Sequence, residues 1–186
     1  MILEAIVTTT NADQTANVAP MGPHVDGPDF DRFVLRPFHS SVTYQNLLRH
    51  GEGVLHVVDD VELLVRAAIG ALDPPPPLHP ATCVSGWTLD DACRWYEFRV
   101  REVDDRPPRA DVTVDVVARG RVRDFFGFNR AKHAVVEAAI LATRVDLIDV
   151  EEIAAEFARL WVPIRKTGGD QELRAMAVLD AYPKNA

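Results

Sequence analysis

Twelve residues, Arg36-Pro37-Phe38-His39-Ser40-Ser41-Val42-Thr43-Tyr44-Gln45-Asn46-Leu47, combine side chains that can hold an anion. A guanidinium at a strand end is followed by two hydroxyls where a helix begins, with Thr43 and Asn46 in its opening turns. Free backbone N–H groups at a helix start bind oxyanions, and a hydroxyl and an arginine complete a phosphate cradle. The same residues also suit a plain helix start, with Ser40 or Ser41 as the N-cap. Both readings stand on this segment alone.

A second segment, Thr15-Ala16-Asn17-Val18-Ala19-Pro20-Met21-Gly22-Pro23, offers backbone rather than side chains. Small residues, two prolines and a glycine at the end of an apolar strand leave N–H and C=O groups beside little bulk, so a flat polar ring can approach closely. The alternative is an irregular strand end, since proline itself marks sheet edges.

Other chemistries fall away on inspection. Gly51-Glu52-Gly53 lacks a third glycine at His56, so it is no dinucleotide fingerprint, and neither a Walker A loop nor Gly-x-Ser-x-Gly occurs. The histidines at 24, 39, 50, 56, 79 and 133 show no paired metal-ligand spacing. Lys166-Thr167-Gly168 has no Ser-x-x-Lys before it and reads as a turn between helices. Asp59-Asp60 and Asp104-Asp105 read as cap and turn carboxylates. Cys83 and Cys93 match no Cys-x-x-Cys motif and read as reduced packing residues.

The elements that must position these groups follow from periodicity. Residues 2–10 and Ala16 to Met21 form a hairpin about Asn11–Thr15; Asp31 to Phe38 is a strand; Val42 to His50 is a helix closed by Gly51; Gly53 to Val58 is a buried strand. Asp59 and Glu62 have capping-box spacing for the next helix. Leu72 to Pro80, with five prolines, is a stiff loop. From Trp95 the period becomes two, with Tyr96, Phe98 and Val100 on one face, and Val112, Val114 and Val116 repeat it after Pro107-Pro108. Asn129 caps a helix to about Arg144, Asp149 caps one that ends before Pro163, and Asp170 to Tyr182 is the last. Strands then helices, without βαβ alternation, predict a small antiparallel barrel with a helical C-terminal region rather than a parallel sheet.

The composition limits the partners. The chain has 186 residues, 47% of them apolar, and a net charge of −8, which argues against nucleic acid and anionic membranes. Within it, residues 119–132 carry Arg119, Arg121, Arg123, Arg130 and Lys132 against Asp124 alone, a local exception suited to one small anion. No apolar run approaches the ~20 residues of a membrane span. Met1-Ile2-Leu3-Glu4-Ala5 has no cationic leader, so the expectation is a cytoplasmic protein.

Taken in order, three segments resemble the FMN-binding, flavin-reductase-like split barrel: Asn17-Val18-Ala19-Pro20-Met21-Gly22, Ser41-Val42-Thr43-Tyr44-Gln45-Asn46-Leu47 and Gly51-Glu52-Gly53-Val54-Leu55. A fourth, from Phe128 to Arg144, resembles one branch of it, domain-of-unknown-function family 447, over nearly the whole chain. The resemblance implies a mainly β protein with α elements: a six-stranded antiparallel split β-barrel with short crossover helices over residues 1–125, and a helical C-terminal region, 126–186, packed on it.

It also implies FMN at a homodimer interface. The ring would lie along Asn17, Ala19, Pro20, Met21 and Gly22, the phosphate near Arg36, Ser41 and Thr43, with Asn46 supporting the turn. Arg130 and Lys132 are either a second anion contact or solvated charges at a helix start. The implied activity is a flavin-reductase-like oxidoreductase that passes hydride or electrons through FMN from NAD(P)H or another reduced donor. The alternative is a non-catalytic FMN-binding or interaction protein.

Overall fold

Hydrophobic alternation and the turn residues produce most of the expected elements. The computed structural model describes residues 1–27 and 29–182. In chain order these are β1 (Ala5–Thr10), β2 (Ala16–Met21), β3 (Arg32–Leu35), α1 (Val42–His50), β4 (Glu52–Val57), α2 (Val61–Ala68), β5 (Leu78–Pro80), β6 (Trp87–Leu89), β7 (Arg94–Asp104), β8 (Asp111–Arg121), α3 (Arg130–Ala142), α4 (Val150–Thr167) and α5 (Asp170–Ala181). They fall into two units, residues 1–58 with 76–125, and residues 59–75 with 126–182. Helices hold more residues than strands, so the chain is mixed α/β rather than mainly β.

In the first unit, six strands pair antiparallel in the order β2-β1-β4-β7-β8-β3. The β1–β2 hairpin turns at Asn11–Thr15, where Asp13 Oδ1 accepts from the Thr15 N–H at 3.1 Å and the Thr15 hydroxyl at 2.6 Å. One face of the sheet carries the core. Ala5 and Val7, Leu55, Tyr96 and Phe98, Val112 and Val114, and Phe33 and Leu35 meet there, joined by Tyr44 and Leu47 of α1. Phe33 and Phe98 meet edge to face, centroids 5.4 Å apart. Burying each such large side chain is worth about 1.5–3 kcal/mol.

The sheet is not closed into a barrel. Its end strands β2 and β3 are not paired to each other. Among the described residues, two isolated bridges, Ile2 to His24 and His24 to Val34, join the start of the chain to β3. The physical reason lies in the connection after β2, where Gly22 and Pro23 end the regular ladder and β3 is only four residues long.

The opposite sheet face is covered by residues 77–91, which carry the small β5–β6 sheet that the proline-rich sequence concealed. Polar side chains hold this strap. The buried Glu97 carboxylate accepts from the Thr82 N–H and hydroxyl, both at 2.8 Å, and from the Cys83 and Val84 N–H groups. Thr10 donates to the Ser85 carbonyl at 3.1 Å, and Thr8 donates to the Trp87 carbonyl. His56, fully buried, accepts from the Leu89 N–H through Nε2 at 3.1 Å while its Nδ1 faces the Ile6 carbonyl at 3.3 Å. Burial holds this imidazole neutral, with its pKa lowered to about 3.

The second unit consists of α2, α3, α4 and α5 around a small-residue stripe on α3, namely Ala131, Ala134, Val135, Ala138, Ala139 and Ala142. Two boundaries differ from expectation. Asp60, not Asp59, caps α2, accepting from the Leu63 N–H at 2.9 Å, because the Asp59 carboxylate accepts from the Phe126 N–H at 2.7 Å. Helix α4 runs through Pro163 to Thr167. The carbonyl that Pro163 leaves without a donor belongs to Arg159 on an exposed turn, where water can satisfy it.

Candidate functional site

Helix α1 begins as its sequence directs. Ser41 is the N-cap, its hydroxyl accepting from the Tyr44 N–H at 3.2 Å and donating to the Phe38 carbonyl at 2.7 Å. That hydroxyl is therefore spent on the helix. Helix geometry leaves the N–H groups of Val42 and Thr43 without intrahelical partners.

A polar network clamps this helix start onto the hairpin. Asn17 Nδ2 donates to Thr43 Oγ1 and Thr9 Oγ1, both at 3.1 Å. Asn46 Nδ2 donates to Thr9 Oγ1 at 3.0 Å and Asn11 Oδ1 at 2.9 Å, and Arg49 Nη1 donates to Asn46 Oδ1 at 2.8 Å. Three of the sequence-predicted residues, Asn17, Thr43 and Asn46, thus meet around Thr9. Thr43 and Asn46 are each 2% exposed, so their side chains position the entrance rather than reach out from it.

Strand β2 lies at a sheet edge, half-buried along its length, with β1 as its strand partner. Ala19, Pro20 and Met21 present a backbone with little side-chain cover. Gly22 continues it under tight contact: a Cβ there would stand 2.8 Å from Ile2 Cγ2. Just beyond, a cavity of about 420 Å³ is lined by Met21, Gly22, His24, Arg36, Pro108 and Arg109.

Arg36 is therefore gathered with Met21 and Gly22, and no hydrogen bond links it to Ser41 or Thr43 among the described residues. Its Nε donates to Asp111 Oδ1 at 2.6 Å. Arg109 stacks its guanidinium 3.8 Å over the Phe38 ring and points Nη1 at the Arg36 carbonyl, 3.4 Å away. Beside them, Asp105 Oδ1 accepts from the Tyr44 hydroxyl at 2.6 Å and pairs with His39 Nε2 at 2.7 Å. The Tyr44 hydrogen bond, then His39, hold the Asp105 carboxyl below its ordinary value, and the same bond raises Tyr44. Sequence spacing does not show that His39 and Asp105, or Arg109 and Met21, meet, because the pairing of strands far apart in the chain brings them together.

Arg130 and Lys132 belong to the second unit. Arg130 is exposed and without a hydrogen bond among the described residues. Lys132 is neither a solvated charge nor an open one. Its ammonium donates to the Asp59 carbonyl at 2.6 Å and to Gln171 Oε1 at 3.1 Å, and it pairs with Glu172 Oε1 at 2.9 Å. Burial pushes the Glu172 carboxyl up, but the Lys132 bond and the Gly169 N–H outweigh it and hold the group below its ordinary value. Lys132 is thus a brace between the starts of α3 and α5.

A six-stranded antiparallel sheet with one edge strand of small residues and a capped helix after β3 defines a flavin-reductase-like fold. The chain aligns with 2-nitrobenzoate 2-nitroreductase of Pseudomonas fluorescens at 23% identity and TM-score 0.55, over 63% of this chain and 64% of that one. It also aligns with an FMN-binding protein of Thermus thermophilus with bound 1-cyclohex-2-enone, at 15% identity and TM-score 0.55, over 64% of this chain and 70% of that one. An FMN-bound DUF447 protein of Methanosarcina mazei matches over 97% of this chain and 94% of its own, at 25% identity and TM-score 0.84. No curated protein matches the sequence.

The chain belongs to the DUF447 family. The protein of unknown function (DUF447) N-terminal domain matches residues 3–123, and the protein of unknown function (DUF447) matches residues 129–180.

Proposed function

We propose that this chain is an FMN-binding oxidoreductase of flavin-reductase type, acting in the cytoplasm as a homodimer with FMN at the subunit interface and NAD(P)H or another reduced donor as partner. The observation that carries the reading is the open edge of β2, where Asn17 to Gly22 offer backbone groups beside small side chains. The whole-length likeness to an FMN-bound family member supports it. Within this reading the six-stranded sheet, with its bridges through His24, is a split barrel that lies within residues 1–125.

The residues fit the cofactor. Backbone groups of Ala19, Met21 and Gly22 lie where a flat ring can approach, and Pro20 contributes none of its own N–H. The α1 entrance, with the free N–H groups of Val42 and Thr43, suits the phosphate, and Arg36, immediately after β3, is the candidate for its positive charge. Thr43, Asn17 and Asn46 keep that entrance in place. When bound, FMN supplies the hydride and one-electron chemistry, so the protein needs no catalytic triad of its own. Arg130, exposed at the start of α3, is the candidate for a second anion contact.

Mass spectrometry of the small molecule released by denaturing the purified protein tests the cofactor. FMN is expected; a colourless chain that takes up no added FMN overturns the reading. The Arg36→Ala/Thr43→Ala variant should fold, by circular dichroism, but purify without FMN. A fully loaded variant would remove the proposed phosphate site. Sedimentation should give a dimer at micromolar concentration, and a monomer with FMN bound refutes the shared site.

A further inference from the structure

We propose that the cavity beside Met21 and Gly22 is an oxyanion subsite, which takes the carboxylate or phosphate of the small molecule that exchanges electrons with FMN. The inference rests on the FMN reading above, since it is the end of the ring-bearing strand that opens into this cavity.

Charge carries the argument. Two arginines and a histidine line the cavity, and among the described residues no carboxylate does. A neighbouring cavity of about 290 Å³ shares Arg36 and Arg109 but is also lined by Arg106, Asp104 and Asp111, where Asp104 pairs with Arg106 and Asp111 with Arg36. Of the two arginines, Arg36 has its Nε on Asp111, and its terminal nitrogens have no partner among the described residues. Arg109 has no ion pair at all among them. A molecule of charge −8 that keeps an unneutralised guanidinium in a concavity focuses positive potential there.

Rigidity is the second argument. His24 is pinned by backbone pairing on both sides: its N–H donates to the Val34 carbonyl at 2.8 Å, and its carbonyl accepts from the Val34 N–H at 3.0 Å, beside the bridge to Ile2. Its imidazole forms no hydrogen bond among the described residues, so it is free to face a ligand. Arg109 is held by Phe38. At about 420 Å³, the cavity falls within the usual size of small-ligand sites. An oxyanion bound between Arg109 and His24 would therefore place the rest of an organic acid toward Gly22 and the open end of β2.

The test uses FMN-loaded protein and two isosteric probes, benzoate and neutral benzamide, with the flavin absorbance spectrum as readout. Benzoate should shift the spectrum saturably and bind about tenfold or more tightly than benzamide. Arg109→Gln with His24→Asn should weaken benzoate by about tenfold or more while leaving FMN content and FMN affinity unchanged. Equal binding of the two probes, or no saturable effect of benzoate on loaded protein, overturns the subsite alone. Loss of FMN from the variant also overturns it, because the cavity then serves FMN's own phosphate. A wild-type chain that takes up no FMN overturns the cofactor reading and the subsite together.

Discussion

Replacing Lys132 by methionine separates a brace from a ligand contact. Lys132 and Glu172 side chains are 15% and 7% exposed, so solvent screens them little and removing one charge strands the other. Breaking a buried pair from one side costs about 3–5 kcal/mol. Glu172 keeps its bond from the Gly169 N–H at 2.8 Å, which favours the lower end, about 3 kcal/mol. For a chain of this length that is a fall in melting temperature of about 6–12 °C. Urea denaturation followed by far-ultraviolet circular dichroism measures it.

The pH dependence gives the sign. Glu172 is held below its ordinary carboxylate value in the folded protein, so its contribution is present above that range and lost as pH falls through the depressed value. In Lys132→Met, burial is opposed by the Gly169 N–H but no longer by the ammonium, so Glu172 takes its proton at higher pH than in wild type, and the gap to wild type narrows on acidification. Lys132→Met/Glu172→Gln should recover much of the loss. A single variant within about 1 kcal/mol of wild type, or a double variant no better than the single, would refute a buried brace at Lys132. Loss of FMN without loss of stability would instead assign Lys132 to the ligand.

Three further outcomes follow from the geometry. His56, with its folded pKa near 3, stays neutral while the unfolded chain binds a proton below pH 6.5, so stability should fall by about 1.4 kcal/mol per pH unit as pH drops from 6.5 towards 3. His56→Gln should flatten that slope between pH 6.5 and 4.5, and an unchanged slope contradicts the assignment. Gly120→Ala would put a Cβ 2.5 Å from the Trp95 ring, so a stability loss of about 1–3 kcal/mol is expected with a shift in tryptophan emission; an unmoved spectrum means the ring is not packed there. Anaerobic mixing of FMN-loaded protein with NADH and with NADPH should bleach the flavin band, whereas a stable band with both favours the non-catalytic alternative.

What was legible in the sequence was local. The β1–β2 hairpin follows from its Asp13 and Thr15 turn, α1 from Ser41 and Gly51 at its two ends, with Gly51 at φ 65°, and β7 and β8 from alternation that the register matches residue by residue over most of their length. Asn129 and Asp149 cap the helices they were assigned to. Elements decided by tertiary burial were not legible. β5 and β6 are three residues each, one ending in proline, and exist because Thr8, Thr10, His56 and Glu97 offer hydrogen bonds on the sheet's second buried face. Pro163 reads as a helix end unless the exposure of Arg159 is known. The site divides in the same way: Asn17, Thr43 and Asn46 lie in motifs, but Arg109 comes to Met21 only through the turn between β7 and β8, and His24, three residues after Met21, is fixed by its pairing with Val34.

The division of polar residues between the two ends of β2 has a physical logic. Near Asn17, every side chain in the network is bonded to another, and Thr9, Thr43 and Asn46 are buried; such a network specifies one geometry and leaves little to offer a ligand. Near Gly22 the balance reverses. Arg109 is cationic, exposed and without an acidic partner among the described residues, and His24 has its backbone fixed and its ring unbonded among them. A binding strand needs both conditions, because a ring laid on a mobile edge loses affinity to ordering entropy, while a fully satisfied edge has nothing to recognise it. On the proposed reading, β2 is held where it meets α1 and ends beside the unpaired groups of Arg109 and His24, so a molecule bound along it would be oriented by the protein before it arrives.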